Sequence, residues 1–140
     1  MADIFTKAKR SAIMSRIRSK NTTPEMIVRR ELFSRGFRYR LHVKDLPGKP
    51  DLVLPRFSAV VIVDGCFWHG HRNCRVFRFP KTRVEFWRKK IEGNRNRDER
   101  NRKRLRQLGW TVVRVWECQL SAKRLEKTIC RIQKAITAQK

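Results

Sequence analysis

Eleven consecutive residues, Asp64-Gly65-Cys66-Phe67-Trp68-His69-Gly70-His71-Arg72-Asn73-Cys74, hold two thiols, two imidazoles, a carboxylate and two large aromatic rings. Cys66, His71 and Cys74 stand at spacings of five and three, short enough to close around one metal ion. Three such donors suit Zn²⁺, which takes four N or S ligands in a structural site. Cys118 is the expected fourth, because it ends an apolar strand that can return to the same sheet end. On spacing alone His69 could replace His71 in the set. Cys130, between Ile129 and Arg131 in a helical pattern, is expected to be a small buried hydrophobe.

The acids are few, so their positions are informative. Asp51 follows Pro50 at the entry of one predicted strand, and Asp64 ends the next, thirteen positions later. In a hairpin those ends meet, and two carboxylates at one sheet end can hold Mg²⁺. Such an ion activates water and neutralises charge on a phosphodiester. His69, close to Asp64, can serve there as general base or acid, since imidazole titrates near neutrality. Read as a residue alone, Glu25 complements a helix dipole in the first turn of its helix.

These groups need elements to carry them. Thr23 as N-cap, Pro24 at N1 and Glu25 in the first turn predict a helix that stops at Gly36. Phe37, Tyr39 and Leu41 alternate with Arg38, Arg40 and His42, which predicts a half-buried strand. Leu46-Pro47-Gly48-Lys49-Pro50 is a turn. Residues 51–54 and 58–63 predict an antiparallel hairpin, with Ala59-Val60-Val61-Ile62-Val63 central in the sheet because both its faces are apolar. A helix over 81–108, a buried strand over 110–116 and a closing helix over 121–138 complete the order. The expected fold is α/β, a mixed sheet flanked by helices. A basic arm at 1–20 precedes a single domain at 21–140.

Net charge is extreme. The chain of 140 residues carries 36 Lys and Arg against 12 Asp and Glu, a formal charge of +24. Self-repulsion on that scale calls for a polyanionic neighbour, and nucleic acid leads because phosphate neutralisation releases counterions. No apolar run approaches a bilayer span and no signal-peptide pattern opens the chain, which predicts a cytoplasmic protein without membrane partners. Between Gly93 and Arg104 there is no apolar residue, so that helix can lie along a phosphate backbone. Trp87, Lys90, Asn94 and Asp98 recur along it at roughly helical spacing. Phe67 and Trp68, set among ligands, glycine and arginine, are placed to stack on bases or wedge between base pairs.

Several motifs together resemble the very-short-patch repair (Vsr) endonuclease family. They run from Met14-Ser15-Arg16-Ile17-Arg18-Ser19-Lys20-Asn21-Thr22, through Leu46-Pro47-Gly48-Lys49-Pro50-Asp51, Gly65-Cys66-Phe67-Trp68-His69, Phe86-Trp87 and Arg97-Asp98, to Trp116-Glu117-Cys118. The resemblance implies a restriction-endonuclease-like fold with a structural zinc site. It implies Mg²⁺-dependent nicking of double-stranded DNA 5′ of the mismatched T in a T·G mispair left by deamination of 5-methylcytosine. Asp51 then becomes the metal-binding carboxylate and His69 the catalytic imidazole, with Glu25 and Asp98 supporting them. Cys66, His71, Cys74 and Cys118 match the zinc set, and Phe67, Trp68 and Trp87 the aromatic wedge. Met14 falls in an arm that enters the opposite groove, and Lys90 and Asn94 match mismatch-contacting positions.

The resemblance also implies a monomer acting on the bacterial nucleoid, a functional link to a cytosine-5 methyltransferase, and mismatch-repair proteins as partners. Two departures stand out. Asp64 occupies a position where the best-known form of the family has histidine, and one extra residue separates the second and third zinc ligands. A carboxylate at 64 can bind Mg²⁺ directly. Two other readings share much of the pattern: a non-enzymatic zinc-stabilised nucleic-acid-binding protein and a mismatch-independent restriction-type nuclease.

Overall fold

The computed structural model describes residues 22–72, 74 and 77–138; the expected arm at 1–20, with Met14, lies outside them. Helix α1 spans Thr23–Ser34, and Thr22 rather than Thr23 is its cap. The Thr22 hydroxyl accepts from the Glu25 N–H at 3.4 Å, the reach a cap makes to the third helical residue. Gly36, at φ 92°, ends the helix, and the Phe37 N–H returns to the Leu32 carbonyl at 3.0 Å.

Strand β1 is only Arg40–Leu41, shorter than the alternation predicts. Phe37 turns instead into the core against Phe57, and His42 at φ 48° ends the strand. Strands β2 (Leu52–Leu54) and β3 (Ala59–Asp64) pair antiparallel around a short 3₁₀ turn, Pro55–Phe57. Strand β4, Thr111–Trp116, lies parallel to β3. Parallel neighbours need a long crossover, and helix α2, Val84–Gln107, supplies it. It begins after Arg83, whose φ of 52° keeps the expected start at 81 out of the helix. A 3₁₀ turn, Glu117–Leu120, precedes helix α3, Leu125–Thr137, which is therefore shorter at its start than expected. Cys130 in α3 is only half-buried, its thiol 3.6 Å from Glu126 Oε1, so it is not the core residue expected.

Sheet order is β1-β2-β3-β4, with β3 central as its apolar sequence predicts. Strand β4 is an edge, and only Val113 and Val115 of it are buried. Side chains alternate between faces. One face carries Leu52, Leu54, Ala59, Val61, Val113 and Val115, packed with Val28 and Leu32 of α1 and Ile129, Ile132 and Ile136 of α3. Val53 and Val60 occupy the other face, under Leu105 of α2, in a much smaller cluster. That thin apolar layer leaves the α2 face free to hold polar groups at the strand ends. Among the described residues no helix is long and apolar enough to cross a membrane.

Ile132 is fully buried in the large cluster. Ile132→Ala should lower unfolding free energy by about 2–5 kcal/mol in a denaturant titration. A loss below about 1 kcal/mol would mean that the α1–α3 layer does not carry the fold.

Candidate active site and metal centre

Asp51 enters β2 directly opposite the end of β3. Its Oδ2 accepts from the Val63 N–H at 2.7 Å, which fixes the carboxylate one residue from Asp64 along the neighbouring strand. Glu25, 1% exposed, comes up from the first turn of α1 to the same place. His42 Nε2 lies 3.1 and 3.0 Å from the two Glu25 carboxylate oxygens, and Arg29 Nη1 lies 3.3 Å from one of them. Glu25, His42 and Asp51 bring one ligand atom each within 4.8 Å of one another. Burial raises the Asp51 pKa from 3.8 to about 7; the Val63 N–H opposes this, while the charges of Glu25 and Asp64 add to it.

A second trio adjoins the first: Asp64, His69 and Asp98, again within 4.8 Å. His69 Nδ1 is hydrogen-bonded to Asp98 Oδ2, and Nε2 lies 3.5 Å from Asp64 Oδ1. Burial works against the imidazolium, but the Asp98 hydrogen bond and the charges of Asp64 and Asp98 outweigh it and raise the His69 pKa. With a carboxylate at each ring nitrogen, the doubly protonated ring is the matching form. Asp64, expected as a catalytic carboxylate and Mg²⁺ ligand, also pairs with a cation from β4. Its Oδ2 receives Arg114 Nε at 2.6 Å, and Arg114 Nη2 also lies 3.7 Å from Asp98. Asp51 and His69 thus reach one sheet end in two neighbouring trios, joined through Asp64.

Two participants were not expected. Strand alternation assigned His42 to the solvent side with Arg38 and Arg40. The β1–β2 register, Leu41↔Leu52, sets His42 across from Asp51, and positive φ turns it toward Glu25. Continuing that hairpin one residue past Leu41 would have found it. Arg114, one cation among 36, carried no signal of its own in the sequence.

The four predicted zinc ligands converge. Cys66, His71, Cys74 and Cys118 bring their ligand atoms within 4.8 Å of one another, and His69 stays outside the set. His71 Nδ1 is 3.5 Å from Cys118 Sγ, and its ring stacks on Trp116 at 3.9 Å and 10°. Burial, then the charge of Arg114, lowers the His71 pKa and keeps the ring in its ligand form. Burial and neighbouring thiols raise Cys66, so a metal ion is needed to hold these sulfurs as thiolates. Three sulfurs and one nitrogen form a set that fits a soft divalent ion, whereas the carboxylate trios fit a hard one. Glu117 Oε1 accepts the Cys66 N–H at 2.9 Å and pins the loop to the end of β4.

Phe67, Trp68 and Trp87 form one cluster, with centroids 5.2 Å (Phe67–Trp87), 5.3 Å (Phe67–Trp68) and 6.0 Å (Trp68–Trp87) apart. The rings half-bury one another, which the ligand-rich loop could not do alone. Phe79 and Phe86, 41% and 45% exposed, extend the patch to the surface. Asn94 Nδ2 donates to the Trp68 carbonyl at 2.8 Å, so it positions the cluster; Lys90 is exposed beside it on α2.

Gly70 links both centres at φ 57°, and a Cβ there would meet Ile91 Cγ2 at 2.5 Å and Arg95 Nε at 2.6 Å. Gly70→Ala should therefore cost about 1–3 kcal/mol and lower bound-metal content measured by atomic absorption. Unchanged stability and metal content would show that the loop tolerates repacking. The Asp51 shift gives a second prediction. A carboxyl raised in the folded state stabilises fully below its unfolded pKa of 3.8, and that contribution is lost as pH rises through about 7. A divalent cation replaces the proton, so the melting-temperature gain on adding MgCl₂ should be larger near about pH 8 than near about pH 6. A gain independent of pH would remove Asp51 from the cation site.

The family model described as "DNA mismatch endonuclease Vsr" matches residues 2–75. Similar chains include the "Type II nicking enzyme V.XorIIP" of Xanthomonas oryzae pv. oryzae, 50% identical over 121 residues, covering 86% of this chain and 88% of that one. The "DNA mismatch endonuclease Vsr" of Escherichia coli K12 is 41% identical over 140 aligned positions, covering 93% of this chain and 89% of the other. Among solved structures, the "Homing Endonuclease I-Bth0305I Catalytic Domain" superposes with a TM-score of 0.56 at 21% identity, over 84% of this chain and 97% of that one. That likeness identifies the fold as restriction-endonuclease-like. By sequence, the chain belongs to the Vsr family of DNA mismatch endonucleases.

Proposed function

We propose that this DNA endonuclease nicks one strand at a T·G mispair, 5′ of the mismatched T, and so initiates very short patch repair. The observation that carries this reading is the gathering of buried Glu25 and half-buried Asp51 beside the Asp64–His69–Asp98 trio, inside a chain of net charge +24. A protein that only bound polyanions would gain nothing from acids gathered beside its phosphate-seeking surface.

Asp51, supported by Glu25 and the second trio, would hold Mg²⁺, which supplies polarisation of the attacking water and neutralisation of charge on the phosphodiester. Water adds at phosphorus and the bond to O3′ breaks, leaving a 3′-hydroxyl and a 5′-phosphate. The departing O3′ needs a proton, and the His69 imidazolium, aligned by Asp98, supplies it. Arg114 neutralises Asp64 and Asp98, so the imidazolium is not held too tightly to give up that proton. Phe67, Trp68 and Trp87 wedge at the weakly stacked mispair, and Lys90 and Asn94 lie beside it. Cys66, His71, Cys74 and Cys118 would hold Zn²⁺, whose part is structural: it would keep His69, Phe67 and Trp68 on one rigid loop against Trp87 of α2. The enzyme acts as a monomer in the bacterial cytoplasm, alongside a cytosine-5 methyltransferase whose sites generate its substrate and with mismatch-repair proteins as partners.

Incubation of T·G and matched duplexes with protein and Mg²⁺ tests the reading directly. Nicks should form only on the mispaired duplex. Equal cutting of both would favour a mismatch-independent nuclease. Asp51→Asn should reduce nicking by at least about a hundredfold while DNA affinity holds or rises. Retained nicking in that variant would remove Asp51 from the chemistry.

A further inference from the structure

Between α2, the metal loop and β4 lies a cavity of about 560 Å³ that opens beside the cleavage centre, with His69 and Arg114 in its lining. Four guanidinium groups line it, those of Arg72, Arg95, Arg102 and Arg114, against the two carboxylates of Glu92 and Glu99. Arg95 is engaged with the Gly70 carbonyl and Arg114 with Asp64. Arg102 is not so engaged. Its Nη1 is buried without a hydrogen-bond partner, one of two such side-chain atoms among the described residues. A charged donor left unpaired in that way is costly unless a ligand completes it. Glu92 and Glu99 share the cavity wall yet leave that nitrogen unpaired.

The other wall tells which part of a nucleic acid would enter. Trp116 lines the cavity, but His71 stacks on its ring at 3.9 Å and the Arg114 guanidinium sits 4.0 Å from its centre. Two groups that close cannot share one face, so neither face is left for a base. The cavity offers cationic donors and no stacking platform. Guanidinium forks match tetrahedral oxyanions bidentately.

We propose that this cavity is a phosphate-binding site centred on Arg102, which takes a backbone phosphate of DNA outside the cleavage centre. It rests on the nuclease reading for its DNA source, since His69 lines the same cavity and the strand must pass it. Free inorganic phosphate carries the same chemistry and is the alternative source.

The test pairs two measurements on Arg102→Gln and the unaltered protein. Inorganic phosphate binding is followed by calorimetry, and affinity for a fully matched duplex is followed against salt without Mg²⁺. Arg102→Gln should weaken phosphate at least about tenfold and reduce the magnitude of the salt slope by about 0.9, one phosphate contact. Lost phosphate binding with an unchanged salt slope assigns the site to free phosphate. Normal phosphate affinity together with a normal slope overturns the proposal. Asn96→Glu, at an exposed cavity position on α2, covers the case in which Arg102→Gln does not fold. It should weaken both interactions by placing a carboxylate in the cavity, and unaltered binding in it would count equally against the site. Because a matched duplex is bound without being cut, failure to nick T·G DNA would sink the proposed function and leave this result standing.

Discussion

Burying carboxylates is the costly act in this molecule, and the surrounding structure is arranged around it. Glu25 and Asp64 are 1% and 4% exposed, and burial, with the charges of those two neighbours, pushes Asp51 toward neutrality. Each acid is therefore given fixed partners: His42 and Arg29 for Glu25, the Val63 N–H for Asp51, and Arg114 with His69 for Asp64. Removing a partner would leave a buried charge uncompensated, which is far more damaging than losing a surface pair. The repulsion that remains between the acids is of the kind a divalent cation would relieve.

The metal loop serves two neighbours at once. Its thiols and His71 gather in one place, while His69, two residues earlier, faces the carboxylates. Few apolar side chains support this stretch, so its shape relies on Gly70 packed against Ile91 and Arg95, on Glu117 holding the Cys66 N–H, and on His71 stacked over Trp116. Trp116 and Arg114 both belong to β4, so the edge strand couples the sulfur centre to the carboxylate centre.

Sheet parity separates stability from chemistry. Residues packed with α1 and α3 are almost wholly aliphatic, and that layer holds the larger core. On the opposite face only a small cluster lies beneath α2, and beyond it the same parity delivers Asp64, Arg114 and Trp116. Helix α2 buries only Ile91 and Leu105, and most of its basic side chains remain in solvent. Such a helix is poorly stabilised by its own packing, which is consistent with a surface built to meet a polyanion.

Local chemistry was legible without coordinates wherever it depends on residues close in the chain. The Cys66–His71–Cys74 spacing, the Asp51–Asp64 hairpin and the apolar central strand are of that kind, because short connections leave few geometries. Helix and strand limits moved where positive φ at His42 and Arg83 overrode periodicity. The amino-acid order alone indicated the elements, the residues of the Cys/His cluster, His71 among them, and the excess of positive charge. Only the tertiary structure could bring His42 to Glu25 and pick Arg114 and Arg102 out of 36 cations. The reason is physical: those choices depend on which face of a sheet or helix a side chain meets across long sequence separations, and charge composition is blind to that.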